Sequence, residues 1–187
     1  MTRFLIAVLF FGTTLIANAQ KQPVIAPFVP PIDSITKLIT YEKVVDVKGS
    51  TANVLYSRIN DWFHSFYKNP TEVIRENDSI KFRIVGKPRF RMSNPPDKSG
   101  IKTDGGTVQY TITVAMKDNR FKYELTEFNW KQLSYYPCEK WMDTKSAFYL
   151  PAYNDYLIQL DKTANDVINA VIQAATHDKS AKDKDAW

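Results

Sequence analysis

The sequence is poor in the side chains that most often carry chemistry. It has one cysteine, Cys138, and two histidines, His64 and His177. A single cysteine excludes an intramolecular disulfide, so the fold depends on packing. Two histidines this far apart do not have the spacing of a histidine metal site. Asp61 precedes His64 by three residues, but a solvated helix face accounts for both, and we expect no metal.

Catalytic motifs are missing as well. The chain contains no His-Glu-x-x-His, Gly-x-Ser-x-Gly, Cys-x-x-Cys, phosphate-loop or dinucleotide-binding sequence. Nothing beside Cys138 activates its thiol, since the neighbours are Pro137, Glu139 and Lys140. We expect an idle buried thiol, with a bond between two chains in an oxidising compartment as the alternative. The sequence therefore predicts no enzyme, no catalytic residue and no cofactor.

Charge of one sign is not in large excess, because 25 Lys and Arg stand against 20 Asp and Glu. One local cluster of basic and aromatic residues lies between positions 81 and 91, and it contains Lys81, Phe82, Arg83, Lys87, Arg89, Phe90 and Arg91. Alternation of this kind puts the charges in water and the rings in the core. We therefore expect no nucleic-acid partner. Contact with anionic glycans or lipid headgroups is the alternative interpretation.

The one long apolar run lies at the amino terminus. Phe4 to Ile16 is almost wholly apolar, follows Arg3, and ends at Ala17-Asn18-Ala19. A basic start, a short apolar run and an Ala-x-Ala site are typical of a cleaved signal peptide. We expect residues 1–19 to be removed and the mature protein, from Gln20, to be periplasmic or secreted. No later run is long enough to span a membrane.

The first half of the mature chain predicts a linker, a strand and a helix. Residues 20–36 contain four prolines and indicate an extended linker. Leu38 to Val47 is rich in β-branched residues and predicts a strand. Thr51 to Lys68 predicts a helix, with Thr51 as its N-cap and Asn69-Pro70 after its end. Its apolar stripe consists of Leu55, Ile59, Trp62, Phe63 and Phe66.

Antiparallel strands are predicted to follow. Two short ones, Glu72 to Glu76 and Ser79 to Gly86, are expected to meet at a tight turn made by Asn77-Asp78. Residues 93–106 are dense in Pro, Asp, Lys, Ser and Gly and indicate a loop.

The clearest hairpin runs from Thr107 to Trp130, with its two-residue turn at Asp118-Asn119. Counting outward from that turn pairs Ile112 with Leu125 and would then place Glu127 opposite Tyr110 in the core. A buried unpaired carboxylate costs several kcal/mol. The alternation therefore predicts a β-bulge at Thr126-Glu127, which exposes Glu127 and brings Phe128 inward; a buried functional carboxylate is the alternative.

The chain ends in a long helix. Pro151 to about Thr176 carries one apolar stripe, which consists of Tyr153, Leu157, Leu160, Ala164, Val167, Val171 and Ala174. Its small residues favour packing within the domain over a coiled coil, and we expect a monomer. The charged residues 177–187 indicate a disordered tail. Residues 37–176 are therefore expected to form a single α+β domain, with the helices on one face of a curved antiparallel sheet.

This order of elements resembles a family of exported bacterial domains of unknown function with a TATA-binding-protein-like (TBP-like) fold. The resemblance rests on the signal peptide, the ring-rich helix from Tyr56 to Trp62, the turn from Lys117 to Tyr123 and the closing helix. It covers roughly residues 36–175. The family usually has glycine where this chain has Asn119, and asparagine also tolerates a positive φ. The family has no assigned activity, so the resemblance implies a fold and no functional residues. The topology is also similar to the helix-grip fold of lipid carriers.

Two functions fit this fold better than a third, an enzyme of unrecognised type, for which one helix-face histidine and scattered carboxylates offer little chemistry. The first is a non-enzymatic exported domain that binds a protein partner or an envelope component. The second is a carrier of an apolar small molecule or lipid, held in a cavity between the sheet and the last helix. The candidate contact residues in either case are Trp62, Phe66, Tyr110, Tyr123 and Trp130.

Overall fold

A computed structural model of the chain describes residues 27–131 and 134–177. The predicted signal peptide, part of the predicted linker and residues 178–187 of the predicted tail lie outside these ranges. In chain order the elements are β1 Tyr41–Asp46, α1 Ala52–Phe66, α2 Pro70–Val73, β2 Ile74–Asp78, β3 Arg83–Gly86, β4 Arg89–Ser93, β5 Asp104–Lys117, β6 Arg120–Lys131, β7 Tyr135–Pro137, a 3-10 helix Cys138–Met142 and α3 Ala152–Thr176.

The strands form one antiparallel, curved sheet, seven-stranded within the described residues, in the order β1-β6-β5-β3-β2. Strand β5 lies at the centre of the sheet and pairs with three other strands. One of its edges pairs with β6, and the other pairs with β3 near the hairpin turn and with β4 farther from it. Strand β7 extends the sheet beside β6.

One face of the sheet forms the core. Alternate residues of β5 and β6 are buried on this face: Val108, Tyr110, Ile112, Val114, Met116, Phe121, Tyr123 and Leu125. The buried stripes of α1 and α3 belong to the same apolar cluster. The predicted α+β layer, with its helices on one face of an antiparallel sheet, is confirmed. In the described part of the chain, no helix is long and apolar enough to cross a membrane.

Helix α1 begins and ends close to where the sequence predicts. The Thr51 hydroxyl accepts a hydrogen bond from the Val54 N–H, as expected of an N-cap. Leu55, Ile59 and Phe63 are fully buried. Phe66 differs from the prediction, because 44% of it is exposed although it belongs to the predicted apolar stripe. It is the last residue of the helix.

The hairpin has the predicted register. Lys117 pairs with Arg120 across the Asp118-Asn119 turn, and Asn119 adopts a φ of 65°. The pairing then shifts between Gln109 and Thr111, opposite Glu127, which has a φ of 55° and is exposed. Tyr110 stacks on Phe128, with 5.3 Å between ring centroids. The predicted bulge is confirmed.

The segment between α1 and β5 departs most from the sequence prediction. A short helix, α2, precedes β2, and the predicted turn at Asn77-Asp78 is wrong because both residues lie in β2. The Asp78 carboxylate instead accepts hydrogen bonds from the N–H groups of Ile80 and Lys81, so the turn occupies residues 79–82. Ile80 is consequently 89% exposed.

The predicted loop at 93–106 is shorter than expected. The sequence analysis assigned no strand to Arg89–Ser93, but β4 pairs there with the first half of β5, which begins at Asp104. Paired backbone therefore extends into both ends of the predicted loop.

Helix α3 has the predicted length and is anchored at its amino-terminal end by rings. Trp130 contacts Trp141, Tyr153 and Tyr156, with ring centroids 5.6 to 6.2 Å apart. Tyr156 is buried although it lies outside the predicted stripe, and Ala175 replaces Ala174 as the last buried residue. The buried band is therefore wider than one heptad stripe.

The described part of the predicted linker lies against the domain. Ile32 forms a β-bridge with Ile39, and Pro30 is buried. The Phe28 N–H donates to the Asn154 side-chain oxygen at 2.6 Å, which ties this segment to α3.

Candidate functional site

A groove opens at the surface between α1 and the carboxyl end of α3. Its volume is about 380 Å³. The lining residues are Arg58, Asp61, Trp62, Ser65, Phe66, Ala170, Gln173, Ala174 and His177. Two rings and two alanines form its apolar part, and polar side chains border it. We call it the α1–α3 groove.

Trp62 and Phe66 supply the aromatic surface of the α1–α3 groove. Trp62 is 6% exposed and Phe66 is 44% exposed, although the two rings lie only 4.9 Å apart between centroids. Trp62 also contacts Phe63 at 4.9 Å and Tyr67 at 5.6 Å, so the core side fixes its position. Phe66 therefore rests on a rigid ring and keeps a large part of its surface in water.

The indole N–H of Trp62 is buried and has no hydrogen-bond partner among the described residues. Leaving such a donor unpaired costs about 1–3 kcal/mol. The apolar contacts of the Trp62 ring must offset this cost.

Arg58 fixes the end of the α1–α3 groove. Its guanidinium donates to the Ala175 carbonyl oxygen at 3.0 Å and to the Ser50 hydroxyl oxygen at 3.3 Å. The first of these bonds satisfies a carbonyl in the last turn of α3, which has no partner within the helix. The separation of the two helices at this end is therefore held by a charged hydrogen bond.

The five candidate residues of the sequence analysis do not meet at one place. Trp62 and Phe66 line the α1–α3 groove, whereas Tyr110 and Tyr123 are buried in the core face of the sheet. Trp130 is half-buried in the ring cluster beside α3, and its indole N–H donates to the Gly105 carbonyl oxygen at 2.9 Å.

Tyr67 contacts both Tyr110, through its hydroxyl, and Trp62, through its ring. The hydroxyl oxygens of Tyr67 and Tyr110 lie 3.4 Å apart. Burial raises the pKa of Tyr110 to about 12 and raises the pKa of Tyr67 further, so both remain protonated at neutral pH. This pair is a partly buried structural contact and not an acid–base pair.

Sequence reasoning did not find the α3 side of the α1–α3 groove. Ala170 and Gln173 were outside the predicted stripe, and Ala174 was predicted to be buried, although it is half-exposed here. Small residues on a helix flank give only a weak signal, because their role depends on which neighbour faces them. Because Ala170 and Ala174 have small side chains, they leave room for the groove beside Phe66.

Glu127 is the acidic residue that the bulge exposes. Its carboxylate accepts a hydrogen bond from the Thr111 hydroxyl at 2.6 Å and lies 3.4 Å from the Lys87 ammonium. The hydrogen bond from Thr111, together with the charge of Lys87, lowers the pKa of Glu127. Glu127 is therefore ionised at neutral pH and suited to ion pairing, not to proton transfer.

Cys138 is buried at the start of the 3-10 helix. Burial raises the pKa of its thiol well above the ordinary value, with a further contribution from Glu139. His64 lies on the exposed side of α1, and its Nδ1 is 2.8 Å from the Asn60 carbonyl oxygen. Within the described residues, no group of three His, Cys, Asp or Glu side chains could hold a metal ion.

Comparison with known proteins identifies the class of domain. Residues 41–131 match the family model described as a domain of unknown function (DUF4468) with TBP-like fold. This part of the chain is therefore similar to DUF4468 domains with a TBP-like fold, and the match extends from β1 through β6. No curated protein matches the chain.

Two solved structures have the same fold. A TBP-like protein from Parabacteroides distasonis is 14% identical, with a TM-score of 0.59, over 76% of this chain and 95% of that one. A DUF4468 family protein from Bacteroides ovatus is 16% identical, with a TM-score of 0.63, over 79% of this chain and 91% of that one. At these identities the likeness concerns the fold alone.

Proposed function

We propose that this chain is an exported, non-enzymatic binding domain, and that the α1–α3 groove takes an apolar side chain of a protein partner in the cell envelope. The observation that carries this proposal is the exposure of Phe66 on top of the buried Trp62. An aromatic residue held rigidly at the surface, and surrounded by polar side chains, is typical of the energetic centre of a protein interface.

The polar border of the groove fits a peptide-containing partner. Gln173 and His177 are exposed beside the two rings and provide both donors and acceptors, while the Ser65 hydroxyl already donates to the Trp62 carbonyl oxygen. A protein segment presents backbone N–H and C=O groups around an apolar side chain, and it can satisfy such a border. A pure hydrocarbon ligand cannot.

The carrier function is the second candidate, because a volume of about 380 Å³ lies in the range of small-molecule sites. The positions of Tyr110 and Tyr123 favour the protein partner. These rings fill the space beneath the sheet in which a helix-grip carrier would hold its ligand.

Nucleic acid is not part of the proposal. A strand of phosphates needs a continuous surface of one sign. The open face of the sheet instead alternates the two signs, for example where Lys122 lies 2.5 Å from Glu42 and 3.9 Å from Glu124.

The test is site-specific photo-crosslinking in the native envelope. A benzoyl-phenylalanine at position 66 should yield a discrete protein adduct. The same residue at position 80 should yield none, because Ile80 lies in the β2–β3 turn and does not line the groove. Ile80 is more exposed than Phe66, so exposure alone would favour an adduct there. An adduct that is equal at both positions would contradict the proposal. The carrier function would be favoured if native mass spectrometry found a retained lipid and the crosslinking at position 66 gave no protein adduct.

Export has its own test. Amino-terminal sequencing of protein recovered from the envelope should begin at Gln20, because cleavage after Ala19 follows from the Ala-x-Ala site. An intact Met1 would refute cleavage without affecting the role proposed for the groove.

A further inference from the structure

A second, polar pocket lies where α1, α2, β2 and the β3–β4 junction meet. Its volume is about 540 Å³. It is lined by Tyr67, Lys68, Asn69, Thr71, Glu72, Val73, Arg75, Lys87 and Arg89. Only Lys87 and Arg89 belong to the basic cluster identified in the sequence. We call this site the basic pocket.

The backbone explains why these residues converge. Helix α1 ends at Phe66 and α2 begins at Pro70, so Lys68 lies in the short connection between them. The Lys87 N–H then donates to the Val73 carbonyl oxygen at 2.8 Å, which fixes the β3–β4 junction against the start of β2. Arg75 lies within the register shift between Ile74 and Glu76, where the β2–β3 ladder is interrupted.

The charge of the basic pocket is strongly positive. Four of its residues are cationic and one, Glu72, is anionic, so the lining carries a net charge of +3. Lys87 is already paired with Glu127, which lies outside the lining. Within the part of the chain that the structure describes, no carboxylate forms an ion pair with Lys68, Arg75 or Arg89.

Neighbouring cations without counter-charges destabilise one another, and a bound anion relieves this repulsion. Two guanidinium groups can each donate two parallel hydrogen bonds to an oxyanion, and lysine adds a point charge. The Thr71 hydroxyl and the Asn69 amide supply neutral donors in the same lining.

We propose that the basic pocket binds a phosphate monoester. A dianion matches the excess charge better than a single carboxylate does, and the volume admits a group as large as a monosaccharide. The ester belongs either to a soluble sugar phosphate or to a lipid headgroup, and the chemistry recognised is the same. This site is separate from the α1–α3 groove, with which it shares no lining residue.

The test is isothermal titration of the full chain with glucose 6-phosphate at low salt, with glucose as the uncharged comparison. Saturable binding of the phosphate ester alone is expected. Arg75→Ala and Arg89→Ala should each weaken it about tenfold or more, as the loss of a charge-assisted hydrogen bond implies. Both residues are exposed, so thermal unfolding should show that the variants are folded.

Arg91→Ala is the matched control. Arg91 is exposed on the same strand as Arg89 but does not line the basic pocket. This variant should change the affinity less than about twofold, because Arg91 makes no contact in the pocket and its charge is already paired with Asp104, 3.7 Å away. Equal weakening by Arg91→Ala, or no saturable binding of glucose 6-phosphate, would overturn the proposal.

Vesicles distinguish the two sources of the ester. If the ester is a lipid headgroup, the chain should sediment with phosphatidylcholine vesicles that contain phosphatidic acid, and Arg75→Ala and Arg89→Ala should abolish this. If it is a soluble sugar phosphate, binding in the calorimeter should persist without sedimentation. Sedimentation that neither variant reduces would count against the basic pocket as the site.

Discussion

Trp62 gives the sharpest test of the way α1 packs. Its ring is 6% exposed and contacts Phe63, Phe66 and Tyr67, while its indole N–H is buried without a partner. Replacing Trp62 with alanine therefore removes both a large apolar contact and an unfavourable polar one. The two effects have opposite signs, and their sum can be estimated.

Truncation of a buried tryptophan to alanine costs about 3–5 kcal/mol, because a cavity replaces the ring. Removing an unpaired buried donor returns about 1–3 kcal/mol. The difference of these two ranges is about 0–4 kcal/mol, and we expect Trp62→Ala to lower the free energy of unfolding by about 2 kcal/mol, the centre of that range and a sizeable part of an ordinary domain's stability. Trp62→Phe removes the donor but keeps a six-membered ring, so it leaves a smaller cavity and should cost less than Trp62→Ala.

The measurement is urea unfolding of the wild type and three variants, with the slope m checked for constancy. His64→Ala is the control, because His64 lies two residues away on the exposed side of α1 and should cost under about 0.5 kcal/mol. Equal losses for Trp62→Ala and His64→Ala would show that the buried face of α1 is assigned wrongly. A loss for Trp62→Phe as large as that for Trp62→Ala would show that the indole N–H does have a partner.

Three further predictions concern strain, titration and reactivity. Gly106 has a φ of 92°, and a Cβ there would lie 2.5 Å from an atom of the Trp130 indole, so Gly106→Ala should cost about 2–3 kcal/mol in urea unfolding. Gly100→Ala, with a φ of 79° but open space around it, should cost about 1 kcal/mol. The pKa of Glu127 is lowered in the folded state, so its contribution to stability is present above the ordinary value of 4.5 and is lost as the pH falls through the folded pKa. Unfolding measured from pH 7 to pH 3 should therefore depend less on pH in Glu127→Gln, and an unchanged dependence would contradict the assigned contacts. Burial raises the pKa of Cys138, so a thiol reagent at pH 8 should label it only after urea is added, and rapid labelling of the native chain would refute its burial.

The parts of the fold that the sequence predicts well are governed by local patterns. The hairpin register follows from the two-residue turn at Asp118-Asn119, because the side-chain period in a strand leaves no freedom once the turn is placed. The same count exposes the conflict at Glu127 and so predicts the bulge. Helix α1 is predicted by its stripe and by the hydroxyl of Thr51, which are also local.

The errors arise where a side chain acts on the backbone or where pairing is distant in sequence. Asp78 was predicted to lie within a turn, but its carboxylate caps the turn that follows it. Strand β4 is short and basic, and only its pairing with the far half of β5 makes it a strand. Neither fact follows from hydrophobic alternation.

The candidate site was predicted only in part for the same reason. Trp62 and Phe66 were recognised as rings on one stripe, but a stripe does not show where a neighbouring helix stops covering it. The exposure of Phe66 depends on Ala170 and Ala174 of α3, which lie more than a hundred residues away in the chain. The basic pocket likewise combines residues from separate segments: Lys68 follows α1, Arg75 lies in β2, Lys87 follows β3 and Arg89 begins β4.

The bulge at Glu127 also bears on the position of the α1–α3 groove. Without the extra residue, Trp130 would face away from the core; with it, the indole meets Trp141, Tyr153 and Tyr156 and fixes the amino-terminal half of α3. The other end of α3 is held by the hydrogen bond from Arg58 to the Ala175 carbonyl oxygen. These contacts at both ends of the helix oppose a slide of its last turns toward α1 over the Phe66 ring. A partner at the proposed site would therefore meet a groove whose two helices are already held in place, which lowers the entropic cost of association.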